Sequence, residues 1–203
     1  MVEGFKEFIY NGLSFYVFNG VYEPSEDALL LADNLEVYES DIVLDMGTGC
    51  GIIAILSALR ASYVVAIDIN PRAVECAKKN ARRNGVLNKI DFICGNLFDP
   101  LKRGAPFTLV LFNPPYLPCN EEPKERIEHA WAGGVNGRSV IDKFIVDLPK
   151  YLDHGGKLLM VQSSLSDLEK TITLLRGIGF QVKLVKEVEL FFETIALIKA
   201  IKV

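Results

Sequence analysis

Residues 112–116, Phe-Asn-Pro-Pro-Tyr, end an apolar run with a rigid turn that carries one amide and one aromatic ring. Such a turn can grip a planar NH2 group. The lone pair of an amide or ring-amino nitrogen is delocalised, so the nitrogen must be held by its two N–H bonds before it can attack an electrophilic carbon. The side-chain oxygen of Asn113 offers one acceptor and the carbonyl of Pro114 the other, since proline keeps its C=O while lacking a donor. Pro115 belongs to the same grip, and Tyr116 supplies a ring that could stack on a flat group. Asn is no general base, which points to positioning and electrostatics rather than proton removal. A Pro-Pro turn that merely ends a strand explains the same residues about equally well.

Upstream, Ile42–Met46 has the pattern of a buried strand that runs into Gly47-Thr48-Gly49-Cys50-Gly51 and then an apolar helix from Ile52 to Arg60. Glycines there let backbone N–H groups at a helix start approach a nucleotide-like ligand. Ile52 stands where the dinucleotide fingerprint wants a third glycine, which disfavours NAD. Asp68 ends the next apolar run, Tyr63–Ile67, roughly 20 residues beyond the glycines, the spacing at which an acid takes ribose hydroxyls. Asp45 adds negative charge where a cationic ligand would sit. An ordinary Rossmann turn with a capping aspartate is the plainer alternative.

In this order, the two segments resemble the class I S-adenosylmethionine-dependent methyltransferases that modify amino or amide nitrogens. Residues 21–27, Val-Tyr-Glu-Pro-Ser-Glu-Asp, and 130–138, Ala-Trp-Ala-Gly-Gly-Val-Asn-Gly-Arg, extend the likeness to the HemK-related methyltransferases of the eukaryotic and archaeal type. It covers the chain from about Val21 to its end. The resemblance implies transfer of a methyl group from S-adenosyl-L-methionine to the glutamine of the Gly-Gly-Gln motif in a class I translation termination factor, with S-adenosyl-L-homocysteine as product. It implies an α/β, Rossmann-like, seven-stranded and mostly parallel sheet of order 3-2-1-4-5-7-6, strand 7 antiparallel, with helices on both faces. For the donor site it implies Tyr22 and Pro24 at the methionine end, the glycine turn with Thr48, Asp68 with Ile69, and Asn96-Leu97 at the adenine, where an aspartate is usual. Asn113 faces both donor and acceptor. The same resemblance implies a small zinc-binding activator protein that adds a strand at the edge Ile90–Cys94; the chain's own N-terminal segment or a second copy could cover that edge instead. Bacterial relatives carry an added helical N-terminal domain, whereas about 20 residues precede Tyr22 here.

The elements that must position these residues alternate as in a doubly wound sheet. Strands are expected at Ile90–Cys94, Thr108–Phe112 and Lys157–Gln162, helices near Val140–Leu148 and Ser166–Arg176, and a closing antiparallel pair at Gln181–Val188 and Thr194–Ile201. Pro71 opens a helix that ends at Asn84-Gly85, with Lys78, Lys79, Arg82 and Arg83 on a solvated face. Ser25 is an N-cap candidate, and Glu26 and Asp27 suit the positive end of the following helix. The long connection from Leu117 to Ser139 reads as a substrate-facing lid anchored by Trp131 and Arg138, or as a loop that Trp131 pins to the core; His129 is given no catalytic role.

At 203 residues, half of them hydrophobic, the chain supports one domain over 1–203, with residues 1–36 a segment and helix closing over the donor. No leader or apolar span stands out, so a cytoplasmic protein with no membrane contact is expected. Cys50, Cys76, Cys94 and Cys119 lack metal-ligand spacing and read as free thiols, with no metal site. The net charge of −4 weighs against the rival reading, an adenine N6-methyltransferase on DNA or RNA. A non-catalytic donor-binding subunit is the rival outside enzymes, and it would have no need of the amide clamp.

Overall fold

The computed structural model describes residues 4–104, 107–119 and 130–203. His129 and the middle of the long connection lie outside the described residues. In chain order the described elements are β1 (Phe5–Tyr10), β2 (Leu13–Phe18), α1 (Glu26–Asp33), β3 (Ile42–Met46), α2 (Ile52–Ala58), β4 (Tyr63–Asp68), α3 (Pro71–Arg83), β5 (Ile90–Cys94), β6 (Phe107–Phe112), α4 (Ser139–Asp147), β7 (Leu152–Ser163), α5 (Leu168–Gly177), β8 (Phe180–Glu189) and β9 (Thr194–Lys202).

Seven strands form one sheet in the order β5-β4-β3-β6-β7-β9-β8. Counted within the sheet this is 3-2-1-4-5-7-6. β9 runs antiparallel to both β7 and β8, while the remaining neighbours are parallel. β3 and β6 lie at the centre and read as continuous apolar runs because both of their faces are covered. The parallel strands all point their C-terminal ends one way, so the glycine turn after β3, Asp68 at the end of β4 and Asn113 after β6 gather at one rim.

An aromatic stack sets the height of the clamp. Phe112, 1% exposed, lies 4.4 Å from the Phe144 ring, which lies 5.2 Å from Phe98, itself stacked on Tyr151 at 4.5 Å. The last side chain of β6 is thereby fixed under α4, and the next residue must emerge at the rim.

One element was absent from the sequence reading. Residues 5–18 form an antiparallel hairpin through Asn11 and Gly12, both with positive φ (48° and 79°), the Asn-Gly two-residue turn whose twist matches flanking strands. The hairpin packs on α3, where side-chain amides serve as its strand partners. Asn80 accepts from Tyr16 N at 2.8 Å and donates to Tyr16 O and Cys50 O at 2.8 Å each, and Asn84 pairs likewise with Ser14. The basic face of α3 is accordingly not simply solvated. Lys79 lies over the rings of Phe5, Tyr16 and Phe18, while Arg83 bonds the Tyr16 hydroxyl and Glu7. β7 also starts earlier than expected, at Leu152, because Gly155 and Gly156 disguise its first half.

Candidate active site

Two cavities flank the turn after β6, and Asn113 lines the second of them. One, of about 430 Å³, is lined by Tyr22, Asp27, Pro114, Tyr116, Leu117 and Trp131. The other is lined by Gly47, Gly49, Asp68, Asn70, Asn113 and Pro115, with Tyr22 on its wall as well. The Asn113 amide is held by Asp27, whose Oδ2 accepts from Nδ2 at 3.1 Å. A carboxylate takes only donors, so this contact fixes which way the amide points. Oδ1 is left buried and without a partner among the described residues. A buried acceptor with nothing to accept is costly, and it suits a site that meets an N–H only when a ligand arrives.

Asp27 does lie in the first turn of α1, where the helix dipole favours an acid, and the structure gives it a second role. Asp27 is 7% exposed and accepts from Tyr22 Oη (2.9 and 3.0 Å), Tyr116 Oη (2.9 Å) and Ala28 N (2.6 Å) in addition to Asn113. The signal was spacing: Asp27 lies three and four residues before Leu30 and Leu31, both buried, and therefore on the apolar face of α1. Ser25 does occupy the N-cap position, but its side chain makes no capping bond and donates instead to Glu26. Burial and the Asp27 charge drive both tyrosine hydroxyls far above their ordinary range, so Tyr22 and Tyr116 stay protonated donors. Tyr116 keeps its ring on the cavity wall but has its hydroxyl committed to Asp27.

The glycine turn is built for close approach. Gly47, Gly49 and Gly51 have φ of 70°, 56° and 88°, a region costly for other residues. A Cβ on Gly51 would stand 2.8 Å from that of Ala77, so this glycine also lets α2 and α3 meet. Asp68 holds the turn from the side, accepting from Gly49 N and Asn70 N at 2.8 Å each, and its carboxyl is raised by burial while those two N–H groups pull it down. Asn70, not singled out from sequence, caps α3 and donates to Gly20 O at 2.8 Å, which ties residues 20–24 to the rim.

Beneath the turn, Asp45 is 2% exposed, with Oδ2 lacking a hydrogen-bond partner among the described residues and its carboxyl pushed up to about 7 by burial. The Thr48 hydroxyl is buried beside it and steadies the Asp45 carboxyl. Asp45 and Thr48 thus sit together under the glycine cradle, and neither lines either cavity. Ile69 is half-exposed after β4, Asn96 exposed after β5, and Leu97 follows with a left-handed φ of 47°; Pro24 is half-buried ahead of α1. All four lie outside the residues that line the two cavities.

The connection after the clamp is pinned by its backbone: Leu117 N donates to Trp131 O and Gly133 N to Leu117 O. A Cβ on Gly137 would come within 2.2 Å of Tyr116 O. Arg138 is 2% exposed and spends its guanidinium on Ser166 O, Asp167 O, Thr171 Oγ1 and Asp142 Oδ1, which makes it an anchor rather than a ligand group.

Residues 20–191 match the family described as the methyltransferase small domain. A relative from Methanocaldococcus jannaschii, named for protein N5-glutamine methylation, is 41% identical over 183 residues, covering 89% of this chain and 91% of its own. The human methyltransferase HEMK2 is 35% identical over 179 residues, 81% of each chain. Among solved structures, the E. cuniculi Mtq2–Trm112 complex, described as methylating the termination factor eRF1, superposes with a TM-score of 0.71 at 28% identity over 91% of this chain and 99% of that one.

Proposed function

We propose, because the chain belongs to the HemK-related class I methyltransferases of the methyltransferase small-domain family, that it methylates the side-chain amide nitrogen of a protein glutamine, in the Gly-Gly-Gln motif of a class I translation termination factor. The observation that carries this reading is the buried, unpartnered Oδ1 of Asn113, with its Nδ2 already committed to Asp27. S-adenosyl-L-methionine, when bound, supplies an electrophilic methyl group and departs as S-adenosyl-L-homocysteine. Asp68 and the glycine turn would hold its ribose, and Asp45 with Thr48 would face its polar end.

Asn113 Oδ1 and the Pro114 carbonyl each accept one N–H of the substrate amide, which withdraws the nitrogen lone pair from resonance and aims it along the line of transfer. Asp27 accepts four donors and has no lone pair to spare. It is a positioning residue, and the surplus proton leaves to water. The N-terminal segment, tied down at Gly20 and Tyr22, would close the donor site, and the chain as a whole would act as one catalytic domain in the cytoplasm. The Mtq2 relative is paired with Trm112, and a small zinc-binding activator fits this chain at the β5 edge, where Phe92 and Ile93 are only partly covered.

The test offers labelled donor with an intact termination factor, the same factor with its Gly-Gly-Gln glutamine replaced, and single- or double-stranded DNA, each with and without the activator. Label on the factor that disappears with the glutamine establishes the activity. Label on DNA alone assigns the clamp to adenine instead.

A further inference from the structure

The turn between β8 and β9 is closed by Leu190 N donating to Glu193 O at 2.8 Å and is anchored by Thr194 N donating to Ser164 Oγ at 3.0 Å. Its tip is Phe191-Phe192, 91% and 84% exposed, the rings edge-to-face at 4.6 Å. The turn does not require them. Tips of this kind favour Gly, Asn, Asp or Pro, and two phenyl rings in water contribute nothing to the core. Paired bare aromatics on a hydrogen-bonded support match instead the rigid anchors of protein interfaces.

Their place in the fold says what they meet. β9 leaves the turn alongside the C-terminal end of β7, with Ile195 opposite Ser163, so the turn stands at the rim where Asn113 emerges. Ser164 supports the turn, Ser166 in the same short segment binds Arg138, and Gly137 presses on Tyr116 O. Two further exposed apolar side chains lie on these connections, Leu165 at 48% and Val135 at 75%. The patch thus stands on the same rim of the sheet as the clamp. At its inner end Glu193 Oε2 is buried without a partner among the described residues, and its charge is felt by Tyr22 and Tyr116.

A glutamine side chain spans only about 5 Å from Cα to its amide nitrogen, from ordinary bond lengths. A glutamine held at Asn113 therefore brings its own backbone, and the folded protein behind it, down onto this rim. We propose that Phe191 and Phe192 are the docking anchor for the body of the glutamine-bearing protein substrate, seated on the same rim as the clamp. The inference rests on the glutamine reading above. It adds that affinity for the substrate resides largely outside the cavity.

The experiment compares F191S/F192S and F191L/F192L with wild type on an intact class I termination factor in the presence of the activator. Exposed positions of this kind tolerate substitution, and unchanged thermal midpoints would verify the fold. The serine pair should raise KM for the factor about tenfold or more, the scale of losing hot-spot aromatics, with kcat at saturation and donor Kd nearly constant. The leucine pair should restore most of the affinity. An unchanged KM in the serine pair overturns the inference while leaving the glutamine reading intact. So would loss of the activator, loss of a self-dimer or loss of single-stranded DNA binding as the sole effect, each of which assigns the patch to another occupant. If the wild type labels no glutamine, the functional reading has failed, and the docking inference with it.

Discussion

Four donors converge on the Asp27 carboxylate, from Tyr22, Ala28, Asn113 and Tyr116, and this convergence sets what each residue at the site can do. Asp27→Asn keeps the volume but presents an NH2 where donors must be accepted, so the Asn113 amide is free to turn over. We expect kcat to fall about 10²–10³-fold, the range for losing a preorganised electrostatic contact, with donor affinity little changed by titration calorimetry. Asn113→Ala should abolish turnover and leave donor binding nearly intact; Asp68→Ala should weaken donor binding first. Asp45 gives a pH prediction. Burial raises its carboxyl from 3.8 to about 7, so the folded protein keeps a proton that the unfolded chain has lost. Its contribution to stability is full below about 3.8 and is lost as pH rises toward 7, and a cationic ligand that favours the ionised form should bind more tightly over the same rise. Thermal melts at pH 5 and pH 8, with and without donor, check this against Asp45→Asn, which should flatten the trend. The placement of Asn113 at the end of β6 is legible in the sequence because the turn that ends the strand is a local signal. Asp27 is not, since an acid in a first helical turn has a sufficient explanation in the helix dipole, and only burial of Leu30 and Leu31 reveals its face.

Asn80 shows how the elements are fastened. It is wholly buried, and its amide joins β2, α3 and the glycine turn through Tyr16 and Cys50. Asn80→Ala strands the Tyr16 N–H and the Cys50 carbonyl, while Tyr16 O keeps its contact from Cys76 Sγ, and should cost about 2–4 kcal/mol, from one to two lost buried hydrogen bonds. Chemical denaturation would measure it, and protease accessibility near residues 5–18 should rise. The alternation of strands and helices was readable from apolar runs and their punctuation. The hairpin carries an equally readable Asn11-Gly12 signal, and Phe15 and Val17 of β2 alternate into the core, while α3 meets its backbone through amide side chains. Strand order is different in kind: which strands become neighbours depends on long-range pairing, and no local spacing determines that β9 inserts between β7 and β8.

At the scale of the molecule, the β5 edge and the donor site are mechanically close. β5 pairs with β4 such that Cys94 stands opposite Asp68, the acid that holds the glycine turn. A strand added outside β5 would therefore stiffen the wall that carries Asp68. With the activator bound, amide hydrogen exchange across residues 90–94 should slow at least about tenfold, and by linkage donor affinity should rise as activator affinity rises with donor. Exchange rates that ignore the activator would place it elsewhere. The acidic balance, net −4, disfavours a nucleic-acid surface without fixing any particular partner.

The orphan oxygen of Asn113 has a last consequence. Held by Asp27, it can present only an acceptor, so a clamp built on it would count hydrogens on whatever enters. A glutamine brings two. A glutamate, which is what an ageing glutamine becomes on deamidation, brings none and sets acceptor against acceptor, and a glutamine already methylated brings one. The site would thus leave chemically damaged copies of its substrate unmarked and stop at a single methyl, so that the modification certifies an intact amide as well as recording a visit.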